Sequence, residues 1–393
     1  MDFALTEEQT AIFDMALAFG QENIAPYAAE WERQGTIPKE LWPELGALGL
    51  GGVYVSEDSG GSGLSRLDAT LIFEALSHAC PSVASFLSIH NMCAKMLDAF
   101  GSDDIKARYL TPAISMDTVL SYCLTEPGSG SDLASLQTRA KEDGDDFIIN
   151  GQKIWTSTAH AADMIFCLVR TEPDAKKHEG ISYLIFSMKT PGIEVRPLKT
   201  MTGHAEFNEV FFTDVRVPQK DIVAGRGQGW YVANATLKHE RGMLGDPNQA
   251  GTRLKEIVDL MHEETVDGMR LIDHPVYRDR LMQLQARVFA MQFHGLRLLT
   301  ATSKKEDPGI ARLIVKLQGC ELNHQLAALA IDALGEIGVL YGNSPHLRAH
   351  GSWQHRYMFD LGLIIGGGTA QIQKNIISER GLGMPREPKP AKA

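Results

Sequence analysis

The sequence predicts an α+β multidomain protein in which an all-α N-terminal domain and a helical C-terminal domain flank a central β domain. Three observations carry this prediction. Apolar residues recur at helical spacing through the first third, short β-branched and aromatic runs fill the middle, and helical spacing returns after Trp230. A chain of 393 residues suffices for two or three domains. The expected boundaries are 1–120 for the N-terminal helices, 121–228 for the β domain, 229–384 for the C-terminal helices and 385–393 for a flexible tail.

In the first region Ser65 is placed to cap a helix carrying Leu67, Leu71, Ile72 and Ala75 on one face. The middle region holds strand-like runs at 147–149, 164–169, 181–186 and 210–212. Between two of them, Asn150-Gly151 reads as a hairpin turn, because both residues tolerate positive φ. Long helices are expected over 276–304 and 308–334, with a last one ending at Arg380, where Gly381 suits the left-handed residue that closes a helix. Pro385-Arg386-Glu387-Pro388-Lys389-Pro390 cannot propagate a helix.

The formal charge of −11 argues against a general nucleic-acid or membrane-surface binder, while leaving room for a local basic patch beside an anionic ligand. Five scattered cysteines, with no C-x-x-C pair or His-spaced cluster, read as reduced thiols and predict no metal site. The first residues lack a basic stretch followed by an apolar one, and no run of about 20 apolar residues occurs. A cytoplasmic protein with neither nucleic-acid nor membrane partner is expected.

Tyr122-Cys123-Leu124-Thr125-Glu126-Pro127-Gly128-Ser129-Gly130-Ser131-Asp132 joins a rigid polar turn to glycines and hydroxyls at the entrance to the β domain. Such a loop brings N–H groups and hydroxyls close to a heterocycle or phosphate. Composition alone favours a surface loop. In the helix that starts near Gly229, the residues Ala233, Thr236, Leu237, Glu240 and Leu244 share one face by three- and four-residue steps. A carboxylate on a buried stripe loses water and suits a base. The pattern also accommodates a solvated Glu240 paired with Lys238 or Arg241.

The segment 124–132, followed by Asn150-Gly151-Gln152-Lys153-Ile154-Trp155-Thr156-Ser157, resembles the paired flavin-binding signatures of the acyl-CoA dehydrogenase family. The likeness extends from Leu5-Thr6-Glu7-Glu8-Gln9 to Thr369-Ala370-Gln371-Ile372-Gln373. It implies the acyl-CoA dehydrogenase fold with a C-terminal four-helix bundle. It also implies FAD as cofactor, an acyl-CoA substrate from fatty-acid or branched-chain metabolism, and an electron-transferring flavoprotein as acceptor. Carried over residue by residue, Tyr122, Leu124, Thr125, Gly130 and Ser131 line FAD or the thioester. Trp155, Thr156 and Ser157 lie against the ring, Ser157 standing where the family has Thr, and Gly368, Thr369 and Gln371 complete the cofactor contacts.

The reaction needs a base for a weakly acidic proton beside the thioester. In most of the family that base precedes the Gly-Thr of the C-terminal signature, a place occupied here by Gly367. His239-Glu240-Arg241 instead resembles the branch with isovaleryl-CoA and long-chain enzymes, whose base lies on the earlier helix. The resemblance therefore implies Glu240 as base, Ser131, Arg241 and Gly367 as substrate contacts, and N–H groups around Gly367 as donors to the thioester oxygen. His239 and His324 read as structural or surface residues, and Trp230 as core or a cover on the cofactor.

Two departures stand out. Asp273-His274-Pro275-Val276-Tyr277-Arg278-Asp279-Arg280 replaces the Arg-x-x-Phe-Gly segment with which a neighbouring subunit grips the FAD pyrophosphate, and Leu334-Gly335-Glu336-Ile337-Gly338 matches the adenine-side loop only loosely. Gly60-Gly61-Ser62-Gly63-Leu64-Ser65-Arg66-Leu67-Asp68 and Ser88-Ile89-His90-Asn91-Met92-Cys93 resemble isobutyryl-CoA dehydrogenases, whereas the remainder resembles bacterial acyl-CoA dehydrogenases. The likenesses meet within 148–157, as in a natural or engineered mosaic. A homotetramer is expected. A flavin-poor or non-catalytic partner subunit of a heteromeric enzyme, or an acyl-CoA oxidase, are the alternatives.

Overall fold

The computed structural model of the chain describes residues 4–388 except 241–244, 246 and 305, and the side chains of 238–240, 302 and 303 also lie outside the description. Two compact units are formed, Met1–Thr236 and Leu237–Ala393.

The first unit opens with helices α1 (Glu7–Phe19), α2 (Ala28–Gln34), α3 (Leu41–Ala47), α4 (Arg66–Ser77) and α5 (Pro81–Phe100), then the short α6 (Asp103–Ile105) and α7 (Thr111–Ile114). Capping boxes start α1 at Thr6 and α4 at Ser65, each satisfying two N–H groups that the first turn leaves unpaired. Helix α4 buries Leu71, Ile72 and Ala75 as its spacing predicts, but Leu67 in its first turn stays 41% exposed. Pro81 occupies the first turn of α5, where a missing N–H costs nothing. Phe86 of α5 stacks on Trp42 of α3 at 4.4 Å within a core that includes Leu45, Ile72 and Leu87.

The same unit continues into a sheet of eight strands: β1 (Leu120–Cys123), β2 (Arg139–Asp143), β3 (Asp146–Ser157), β4 (Met164–Arg170), β5 (Ile181–Ser187), β6 (Ile193–Leu198), β7 (Phe207–Pro218) and β8 (Ile222–Val223). Their order is β6-β7-β3-β2-β4-β5-β8, and β1 pairs in parallel with β4. Alternate side chains such as Phe147 and Ile149 on β3 and Val215 and Val217 on β7 fill its core.

Asn150-Gly151 is not the hairpin turn. Both residues lie inside β3, and the turn before β3 is Gly144-Asp145, with Gly144 at φ +62° between the paired Asp143 and Asp146. Glycine as the first central residue of a two-residue turn supplies the mirror-type geometry that suits twisted strands. Asn150 instead grips an irregularity on β7. Its Nδ2 donates to Asp214 Oδ1 at 2.9 Å and its Oδ1 accepts from Asp214 N at 3.0 Å, while Asp214 sits at φ +49°. Gly151 is required by space, since a Cβ there would lie 2.5 Å from Thr138 Oγ1.

Helix α8 (Gly229–Glu240) runs from the first unit into the second. There α9 (Pro247–Glu263), the β9 (Thr265–Val266) and β10 (Met269–Arg270) hairpin, α10 (Pro275–Ser303), α11 (Ala311–Leu334), α12 (Ser352–Ile365) and α13 (Ala370–Ile376) follow. Helices α9 to α12 form a four-helix bundle around Ile257, Met261, Leu281, Val288, Leu326, Leu329 and Trp353. A buried ion pair between Arg253 of α9 and Asp360 of α12 crosses it. The left-handed glycine after the last helix is Gly383, at φ +66°, not Gly381. Gly381 closes a π-helical turn (Ile377–Gly381), where a Cβ would approach Ile310 Cδ1 to 2.5 Å. It is small because α11's leading turn lies against it. Among the described residues no helix is long and apolar enough to cross a membrane.

Candidate active site

The two sequence segments expected to hold the cofactor are joined by a buried ion pair. Lys153 on β3 has no exposed surface, and its Nζ donates to Glu126 Oε1 at 2.9 Å and to Leu124 O at 3.0 Å. Glu126 also accepts the N–H groups of Gln137 at 2.6 Å and Thr138 at 2.8 Å, so its oxygens are well supplied with donors. Burial alone would raise the Glu126 carboxyl, but the Lys153 charge and these donors hold it below the ordinary carboxylate range. Ile154 N donates to Thr125 O at 2.9 Å, and Ser121 Oγ to Ser157 O at 2.7 Å. The loop after β1 is thereby clamped along β3. Gly128 and Gly130 face open space, and Ser131 is exposed.

Beyond Lys153 the register of β3 against β7 shifts, because Lys153 pairs with Val210 and Thr156 with Asn208. Two residues then oppose one, a bulge that re-aims side chains. Trp155 takes φ +62°, is 52% exposed, and meets Phe207 edge-on at 5.7 Å. Thr156 turns inward, and its Oγ1 is buried with no hydrogen-bond partner. A buried hydroxyl without a partner is costly, and an exposed indole on a strained backbone is unusual. The exposed indole fits a flavin that Trp155 would cover, whereas the Thr156 hydroxyl has no accessible surface and the half-buried Ser157 offers the hydroxyl on this strand. Leu124 is buried, while Tyr122, Thr125 and Ser157 are half-buried on the same clamp.

On α8, Val232, Ala233 and Thr236 are buried and Leu237 is half-buried. Gly229 lets the helix start against β5, since a Cβ there would lie 2.5 Å from Ser182 C. Glu240 ends α8, but its side chain lies outside the described residues, as does all of Arg241. Trp230 packs on His178 at 4.7 Å, and His324 lies tilted against Tyr357 at 4.6 Å in the second unit. In that unit, Gly367 and Gly368 take φ +64° and +92°, and the Thr369 side chain accepts from Ile372 N at 3.2 Å to begin α13. Gln371 is exposed at the first turn of α13. Arg280, in the segment that replaces Arg-x-x-Phe-Gly, donates to Asp332 Oδ2 at 2.7 Å in its own chain.

Reading the sequence had missed Glu126, Lys153 and Asn208 as parts of the site. A lysine amid the apolar alternation of β3, at a position that points inward, is the signal that singles out Lys153.

Residues 6–117, 121–215 and 227–382 match the acyl-CoA dehydrogenase N-terminal, middle and C-terminal domains, respectively. Acyl-CoA dehydrogenase IpdE1 of Mycobacterium tuberculosis is 35% identical over 362 residues, covering 91% of this chain and 91% of that protein. The mitochondrial isobutyryl-CoA dehydrogenase of Dictyostelium discoideum is 34% identical over 344 residues, covering 86% of this chain and 82% of its own length. Alignments of that length run through both sides of 148–157, so one relative of either kind spans both likenesses. Among solved structures, the ChsE4-ChsE5 complex from Mycobacterium tuberculosis contains a similar chain, with a TM-score of 0.84 and 29% identity over 98% of this chain and 100% of that one. The clamp on β3, the exposed Trp155 and the three domain matches converge, and the chain belongs to the acyl-CoA dehydrogenase family, as an FAD-dependent oxidoreductase acting on acyl-CoA.

Proposed function

We propose that this chain removes the α and β hydrogens of a medium or bulky acyl-CoA to give the trans-2-enoyl-CoA, with Glu240 as the base. The observation that carries the assignment is the buried stripe of α8, which runs through Val232, Ala233 and Thr236 and reaches position 240 four residues later. When bound, FAD supplies the acceptor for the hydride leaving the β carbon. Glu240 takes the α proton as that C–H bond breaks, and the freed electron pair forms the double bond. N–H groups of the 366–369 loop donate to the thioester oxygen, where charge develops, and Gly367 leaves out the side chain that most of the family carries there. Tyr122, Leu124, Thr125, Gly130, Ser131, Trp155, Thr156, Ser157, Gly368, Thr369 and Gln371 hold the cofactor, and Ser131 and Arg241 contact substrate. The work divides among domains at 1–120, 121–228 and 229–384, in a cytoplasmic enzyme that passes electrons to an electron-transferring flavoprotein.

Assembly is part of the proposal. Met282, Phe289, Phe293, Leu296 and Leu299 are exposed at helical intervals along α10, and Phe293 is 70% exposed. Beside them opens a cleft of about 250 Å³ lined by Arg287, Ala290, Met291, His294, Ile314, Gln318 and Leu322. An apolar stripe of this extent supports a homotetramer that covers it.

The test is anaerobic mixing of the purified protein with short, branched, medium and long acyl-CoAs while the oxidised flavin absorbance is followed. Rapid bleaching by one class is expected. In Glu240→Gln, bleaching slows by about a thousandfold or more with FAD retained. Full activity in that variant rules out the assigned base, and a colourless protein that gains flavin only with a second, unlike chain supports the partner-subunit alternative.

A further inference from the structure

The 366–369 loop and Gly245 meet the same helix, α11. We infer that α11 sets the 366–369 loop through Lys316, a positioning residue for the N–H groups that polarise the thioester oxygen. The inference deepens the proposed mechanism and rests on it.

Lys316 is 1% exposed, an unusual site for an ammonium, whose removal from water is costly. Its Nζ donates to Ile364 O at 2.9 Å and to Gly368 O at 2.7 Å. Ile364 lies in the last turn of α12, where carbonyls lack helical partners and carry the negative end of the helix dipole. Gly368 lies just before α13. One cation therefore ties together both ends of the loop. Gln373 on α13 grips the intervening carbonyl, donating from Nε2 to Gly367 O at 3.2 Å.

In a trans peptide the C=O and the next N–H point in opposite directions. Holding Gly368 O toward Lys316 turns Thr369 N–H the other way, and holding Gly367 O toward Gln373 does the same for Gly368 N–H. Gly367 and Gly368 have positive φ, where glycine has wide freedom and backbone preference alone fixes little. The direction of these donors is set from behind, by side chains that do not face them.

Three residues along α11 from Lys316, on the same face, Gly319 receives the chain that follows α8. A Cβ on Gly319 would lie 2.2 Å from Gly245 O, and a Cβ on Gly245 would lie 2.7 Å from Val315 O. Backbone thus meets backbone five residues after Glu240.

Lys316→Met keeps the length of the side chain and removes the ammonium. In the FAD-loaded protein, kcat should fall about tenfold to a hundredfold, less than for loss of a direct oxyanion donor, with KM nearly unchanged. The infrared carbonyl stretch of bound enoyl-CoA should move toward its value in free thioester, a readout that simple destabilisation leaves in place. Gly319→Ala, which crowds Gly245 on the same face of α11 but leaves the carbonyls held by Lys316 untouched, should leave that stretch where it is. A folded, FAD-loaded Lys316→Met with wild-type kcat and an unshifted stretch overturns the proposal. If that variant does not fold, Gln373→Met reads the same loop through Gly367 O, and an unshifted stretch with wild-type kcat there overturns it equally. Full activity in Glu240→Gln would sink the assigned base on its own, while the stretch in Lys316→Met would still report on the loop.

Discussion

Trp155 holds φ +62° because the residues on either side of it are committed elsewhere. Lys153 is drawn inward to Glu126, and Thr156 is paired to Asn208, whose Nδ2 donates to Thr156 O at 3.1 Å. Strain of this kind persists only where the surroundings over-determine it. The Glu126 and Lys153 pair is the main restraint, so removing one charge should release it. Glu126→Gln leaves a buried ammonium without its counter-charge and should cost about 3–5 kcal/mol in denaturant unfolding, together with weaker FAD retention. An unchanged unfolding midpoint would show that the clamp is dispensable. The acid dependence follows from the lowered Glu126 carboxyl. Its contribution is present above the ordinary carboxylate range and is lost as pH falls through and below it. At this scale the sequence named Trp155, Thr156 and Ser157 as expected ring contacts and missed the clamp, because a glutamate in a Pro-Gly-Ser-rich loop carries no local mark of burial.

At the level of elements, α5 is joined to β1 by a histidine. His90 Nδ1 accepts from Leu120 N at 3.1 Å, and Nε2–H donates to Ala113 O at 2.9 Å, so the ring is held in its neutral form. Burial pushes its pKa down from 6.5 to about 4, against a smaller opposing effect of hydrogen bonds to Ala113 and Gly51. A group whose folded pKa is lowered in this way favours folding fully above pH 6.5 and loses that contribution as pH falls toward 4. The loss amounts to about 3 kcal/mol. Proton NMR should show no titration of His90 above about pH 5, and a midpoint near 6.5 would remove it from the junction. The start of α4 was legible because capping is local and Ser65 marks it. The hairpin at Asn150-Gly151 misled because it competes with Asp143-Gly144-Asp145-Asp146 only six residues earlier, and strand pairing with β7 decided between them.

For the whole molecule, the exposed stripe on α10 is the feature with the largest consequence. Burying apolar surface contributes roughly 25 cal/mol per Å², and a charge placed at its centre opposes association. Phe293→Asp should therefore shift the protein to a smaller species in size exclusion with light scattering, with the bundle still folded. An unchanged mass would place the contact on another face. The helix was expected over 276–304, but not the exposure of its apolar side chains, since spacing shows which residues share a face and not what lies opposite.

The sequence by itself determined the order of helical and strand regions and, through its paired signatures, the family, because these depend on periodicity, caps and short motifs. Tertiary structure alone decided that Lys153 and Lys316 are buried cations, that Gly381 is needed for closeness and not for a left-handed turn, and that the β2–β3 turn falls at Gly144. The reason is distance along the chain. Lys153 meets a partner 27 residues away and Lys316 meets carbonyls 48 and 52 residues away, and pairings of that range are set by packing.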